Sequence, residues 1–141
     1  MANEATLIFE TALPIPFTVA NATGIEKGTL LKMTDPMTAI AVAAAKDVVA
    51  GIAAEEKIAS DGKTKLGVYR RGIFKVSLSG ACTVGDPLVT SSTLNNIVTT
   101  NLSGTDSLSG AKIIGYALET GATGETILME LNIHASTAAN I

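Results

Sequence analysis

The stretch VYRRGIFKV, residues 68–76, places two arginines and a glycine inside what otherwise reads as one long β-strand. Leu66, Val68, Phe74, Val76 and Leu78 share one parity, and Lys65, Tyr69, Arg71, Lys75 and Ser77 share the other. Such alternation describes a half-buried strand with one apolar face. It also puts Arg70 on the apolar side, where an unpaired guanidinium is costly to bury. A glycine within a strand often marks a bulge that re-aims its neighbours. Gly72 is therefore expected to turn both arginines to a surface or subunit rim, with a buried arginine–carboxylate pair as the other arrangement. No histidine or cysteine stands nearby to make the pair catalytic.

Working outward, residues 5–19 (ATLIFETALPIPFTV) alternate as well. Leu7, Phe9, Leu13, Ile15, Phe17 and Val19 lie on one side, with Pro14 and Pro16 on the other. Two prolines two apart remove ladder donors, so this segment is expected as an edge strand or an extended arm, not a central strand. Further on, a strand is expected near Thr29–Met33, a turn at Asp35-Pro36, a strand near 38–43 and a turn or single helical turn near 44–47. Residues 37–50 are Ala-rich, which also suits a helix, but Ile40 and Val42 alternate with alanines as a strand requires. Asp61-Gly62 is a hairpin turn signal. Long strands are expected at 64–78 and 125–134.

The second half echoes the first. Gly28-Thr29-Leu30-Leu31 corresponds to Gly85-Asp86-Pro87-Leu88, and Val49–Glu55 (VAGIAAE) corresponds to Ile113–Glu119 (IIGYALE). The extra length in the second copy fits the polar stretch TTNLSGTDSLSG, an expected exposed loop. Two copies are too few for a solenoid. They suggest one pseudo-symmetric barrel or sandwich. The organisation expected is an extended N-terminal arm over 1–19, a single β domain over 20–134 and a loose tail over 135–141.

Composition limits the chemistry. The chain has 141 residues, 47% hydrophobic and 16% charged, with no Trp and a net charge of −3. This is one domain with a real aliphatic core. The acidic balance argues against a general nucleic-acid binder. The cluster Lys63, Lys65, Arg70, Arg71 and Lys75 suits an acidic protein surface better than a nucleic acid. No apolar run approaches the roughly 18–20 residues that span a bilayer, and the N-terminus lacks the basic region of a secretory signal. Cys82 and His134 are the only residues of their kinds, so no intrachain disulfide, zinc cluster or His–His metal site is expected. Glu55-Glu56 and Glu119 read as solvated strand ends, and Asp35, Asp61 and Asp86 as turn formers. No GxSxG, P-loop or calcium loop is present.

The residues from Val48 to Leu78 resemble the head decoration proteins of tailed bacteriophages, the family that includes the phage lambda decoration protein. The features carrying the resemblance are the aliphatic-Gly-aliphatic strand, the polar hairpin with Asp61-Gly62, and Tyr69-x-x-Gly72-x-Phe74. TVGDPLVTS and KIIGYALETG resemble the wider set of capsid cement proteins, while residues 83–134 do not match the C-terminal region of the lambda-type member.

The resemblance implies a mainly β fold, a small barrel or tulip-like sandwich with little helix. It implies a homotrimer on the outer surface of the virion capsid, made in the host cytoplasm. The partner implied is the major capsid protein, with no cofactor and no enzyme activity. An N-terminal segment that meets the shell falls here on Leu7, Ile8, Phe9, Leu13, Ile15 and Phe17. Tyr69, Arg70 and Arg71 are the expected subunit or shell contacts. The competing reading is a small ligand- or carbohydrate-binding β-barrel of a phage or bacterial surface, which the absence of Trp disfavours.

Overall fold

A computed structural model describes residues 3–44, 47–93, 95–99 and 113–133. The polar loop after residue 99, His134 and the C-terminal tail lie outside these residues. Eleven strands are assigned: β1 (Thr6–Phe9), β2 (Ile15–Thr18), β3 (Leu30–Asp35), β4 (Thr38–Ala41), β5 (Val49–Ala53), β6 (Lys65–Tyr69), β7 (Arg71–Leu78), β8 (Pro87–Thr90), β9 (Asn96–Thr99), β10 (Gly115–Ala117) and β11 (Thr126–Asn132). There is no helix among the described residues. The Ala-rich segment contributes β4, a strand as its alternation predicts.

The strands form two rings with the same wiring. Strands β2-β4-β3-β5-β6 close a five-stranded barrel. The second sheet runs β1-β7-β11-β10-β8-β9, and a pairing of β7 with β9 returns it to β7. In each ring the closing contact is the single parallel one, Thr18 opposite Thr38 and Ser77 opposite Asn96. The internal duplication seen in the sequence is therefore a duplication of topology, and β1 is the strand left outside both rings.

Hydrogen bonds repeat at matching positions. Gly28 N donates to Ala53 O at 2.9 Å, as Gly85 N does to Ala117 O at 2.7 Å. Ala53 N donates to Thr29 O and Ala117 N to Asp86 O, both at 2.9 Å. The matched glycines Gly51 and Gly115 have a common cause. A Cβ at either would overlap a backbone carbonyl, that of Tyr69 or of Glu130. Four turns share one form, closed by Thr29 N to Glu26 O, Asp61 N to Ile58 O, Asp86 N to Thr83 O and Glu125 N to Ala122 O. The third residue of each has positive φ: Gly28 at 88°, Ser60 at 61°, Gly85 at 90° and Gly124 at 88°. A turn that needs φ > 0 there selects glycine, and Ser60 is the exception.

Two main apolar cores fill the rings, and the larger draws on both of them. Phe17, Val19, Ile25, Leu31, Ala39, Ala50, Ala53, Leu66 and Val68 fill the first. The larger core joins Leu30, Val42, Val49 and Ile52 of the first ring to Phe74, Val76, Leu88, Ile114, Met129 and Leu131 of the second. Strand β5 is buried along its whole length because its side chains enter both cores; Val49 and Ile52 go to one, Ala50 and Ala53 to the other. Polar links cross the same seam, with Leu30 N donating to Asn95 Oδ1 at 2.9 Å and Asp47 N to Thr90 Oγ1 at 3.1 Å.

Lys57 is a buried cation that the sequence reading did not single out. Its Nζ donates to Asn21 O at 2.6 Å, Thr23 O at 3.0 Å and Ile58 O at 3.2 Å, with Asp61 Oδ1 at 3.4 Å. It sits in the bridge Ile25–Lys57, whose counterpart in the second ring is Cys82–Gly121. Where the second ring has no side chain, the first pins two loops with an ammonium group.

Two stability outcomes follow, both readable by denaturant unfolding. Lys57→Met buries no ammonium and leaves three carbonyls without their donor, and should cost about 2–3 kcal/mol. Ser60→Gly relieves the left-handed conformation and should stabilise by up to about 1 kcal/mol, the gain limited by the greater unfolded freedom of glycine.

Candidate docking surface

The opening stretch is not one bulged strand. At Arg70 the chain leaves the first ring and enters the second, so β6 and β7 are consecutive lengths of one path through both rings. The N-terminal segment runs antiparallel beside that path. Thr6 pairs with Lys75, Leu7 with Phe74 and Phe9 with Ile73; after a short connector Ile15 pairs with Val68 and Thr18 with Lys65. Residues 6–18 thus form a strap across the junction, which is why their alternation reads as a single extended chain.

At the junction Arg70 is half-buried, and Gly72 does not turn it fully outward. Arg70 Nη1 donates to Ala50 O at 3.0 Å, and the guanidinium lies 5.7 Å from the centre of the Phe17 ring. Burial lowers its pKa from the ordinary value. The compensation is a carbonyl and an aromatic face, not a carboxylate. Arg71, one residue on, is exposed. Gly72 has another use: it lets β1 come close, since a Cβ there would press on Phe9 O at 3.2 Å and the Phe74 ring at 3.0 Å.

Tyr69 is also engaged within the chain. Its hydroxyl donates to Glu10 Oε2 at 2.8 Å, and that bond raises the phenol pKa above its ordinary value. Its ring meets Phe74 edge-on at 5.7 Å. Glu10 is the first residue after β1, so this contact latches the strap at the crossing.

The strap divides into buried and exposed parts. Phe17 is 1% exposed and belongs to the core of the first barrel; it offers no surface. Leu7 is partly buried against the larger core. Leu13 at 77%, Phe9 at 62%, Ile8 at 42% and Ile15 at 40% remain in solvent. Four large apolar side chains are thus exposed within eight residues of the strap. Because β2 closes the first barrel, the part of the 1–19 segment outside the rings ends at the connector before Ile15.

Three of the carboxylates singled out in the sequence serve the backbone or an ion pair. Glu119 Oε1 accepts from Leu128 N at 2.7 Å, and Glu55 pairs with Lys63. Asp61 accepts from Lys63 N and Ile58 N, the bond from Lys63 doing most to lower its pKa. Lys65 donates to Thr18 Oγ1 at 2.9 Å. Cys82 is buried, and burial raises its thiol pKa. Among the described residues no group of three or more His, Cys, Asp or Glu side chains forms a metal-binding cluster.

The phage cement protein family matches residues 9–133. The chain belongs to that family, and the membership associates it with the phage capsid in a structural role. Among solved structures it is similar to the head fiber gp8.5 N base of bacteriophage phi29, at 17% identity over 87% of this chain and 97% of that one, with a TM-score of 0.56. At that identity the likeness is one of fold. No curated protein matches the chain.

Removing the latch tests the strap. Tyr69→Phe keeps the ring contact and loses the bond to Glu10, so amide hydrogen exchange across residues 6–12 should quicken while global stability changes by about 1 kcal/mol or less. Unchanged exchange there would mean that the latch does not hold β1.

Proposed function

We propose that this phage cement protein is a non-enzymatic clamp that binds the outer surface of a phage head and ties neighbouring capsomers together as a homotrimer. The observation that carries the reading is the exposed apolar set on the strap: Ile8, Phe9, Leu13 and Ile15. A clamp makes several modest contacts at once and gains by avidity. An extended, proline-stiffened segment supports this because little conformational freedom is lost when it docks. The partner is the major capsid protein, met by the strap. Arg71, exposed at the start of β7, supplies a charged contact to the shell or a neighbouring subunit, whereas Tyr69 and Arg70 act indirectly by holding the strap and the junction.

Removing residues 2–17 as a block would take β2 out of the first barrel, so point substitutions are the sharper probe. Phe9→Ser with Leu13→Ser should weaken co-sedimentation with capsids at least tenfold and leave the strand content seen by circular dichroism unchanged. Saturation of capsids at unchanged affinity would refute docking through the strap. Arg71→Glu should weaken binding in the same assay and leave the fold intact. Light scattering should give three times the mass of one chain, and a stable monomer would refute the trimer.

A further inference from the structure

The duplication shows what kind of position β1 occupies. Val19 N donates to Thr64 O at 3.0 Å, and its counterpart Leu78 N donates to Glu125 O at 2.9 Å. With these two residues matched, Pro14 and Pro16 of the first ring correspond to Ile73 and Lys75 of the second. Thr18 N points the other way, to Met37 O at 2.6 Å, and the prolines share its parity. The missing N–H groups are therefore on the side of β2 that faces away from β6. In the second ring the same side of β7 takes β1, opposite Ile73 and Lys75. One edge is sealed by two residues that cannot donate, and the equivalent edge is open and filled by a strand.

That strand is separable from the rings. Strand β1 pairs with β7 alone, and its register shifts between Leu7 and Phe9. Ala5 and Leu7 are its links to the larger core, and one backbone bond, Ala5 N to Gly28 O at 2.9 Å, ties the residue before it to the first ring. Residues 10–13 are exposed, and Glu10–Tyr69 is a single hydrogen bond. Both rings keep every one of their own pairings when β1 is lifted away.

We propose that the open edge of β7 is a strand-acceptor site that takes residues 6–9 of a second copy of this chain in place of its own. The occupant follows from the fit already present: the edge binds this segment, and every copy carries one. A strand supplied in trans makes the contacts that it makes in cis, and the difference lies in the connector, so local concentration decides which copy fills the edge. Exchange would bind neighbouring copies to one another through backbone ladders while Phe9 and Leu13 stay free for the shell. The proposal deepens the clamp reading and rests on it for the crowding of copies on a capsid.

The test uses two full-length single-cysteine chains of different tag mass, Thr6→Cys with Cys82→Ala and Lys75→Cys with Cys82→Ala. Thr6 and Lys75 are exposed partners across the β1–β7 ladder. The two chains are mixed, oxidised and run without reductant. Exchange should make the mixed Thr6–Lys75 product at least tenfold more abundant than either like-with-like product. A mixed product at or below twice each like-with-like product, the ratio expected of random collision, would overturn the proposal. Capsid co-sedimentation of the unaltered chain is scored separately. Exchange without capsid binding leaves the acceptor site standing and removes the clamp, and capsid binding without exchange does the reverse.

Discussion

Two closed sheets are threaded on one length of backbone, and the antiparallel pairing of residues 6–18 against residues 65–75 holds that thread in place. Strand β6 completes the first ring and β7 begins the second with a single residue between them. A linker that short leaves the rings little freedom to part. The strap beside it adds a second covalent crossing with its own ladder hydrogen bonds, and the apolar interior then closes over both, joining Leu30, Val49 and Ile52 to the second ring's core. The larger core, drawn from both rings, ties the repeated units to one another. Each ring alone would expose a face that the other covers.

Arg70 sits where these elements meet, and its cost is met locally. A guanidinium without partners in that position would be strongly destabilising. The Ala50 carbonyl and the Phe17 ring supply a hydrogen bond and a cation–π contact. Both partners come from the first ring, so the charge ties the junction to that ring. The two adjacent arginines thus do different work: one organises the junction and the other faces outward.

Duplication left the two rings with the same wiring and different fittings. The buried Lys57 ammonium in the first ring has a bare glycine, Gly121, as its counterpart. The edge beside β2 carries prolines, and the edge beside β7 carries a strand. These differences lie in loops and at edges, where a change does not disturb the pairing of the rings. They leave two rings of the same wiring with one strap, which runs beside β6 and β7.

Much of this was legible in the sequence. Period-two alternation and turn glycines are properties of neighbouring residues, so the all-β class, most strand positions and the repeated units were determined before any tertiary contact was known. The paired prolines at 14 and 16 declared a strand side without donors because a missing N–H is a covalent fact, but not that β2 would lie between β4 and β6 in a closed barrel. What the sequence could not determine was where a strand ends when alternation continues through the break. The even-numbered residues from Leu66 to Leu78 keep one parity across two rings, and only closure of each sheet shows that Arg70 is a junction. Likewise, Phe17 and Leu13 share a parity and a hydrophobic character, yet one is core and the other is solvent-exposed. Burial is decided by which other segments arrive to cover a side chain, and Lys57 shows the same for charge: its three carbonyl partners are assembled by loops that local pattern does not bring together.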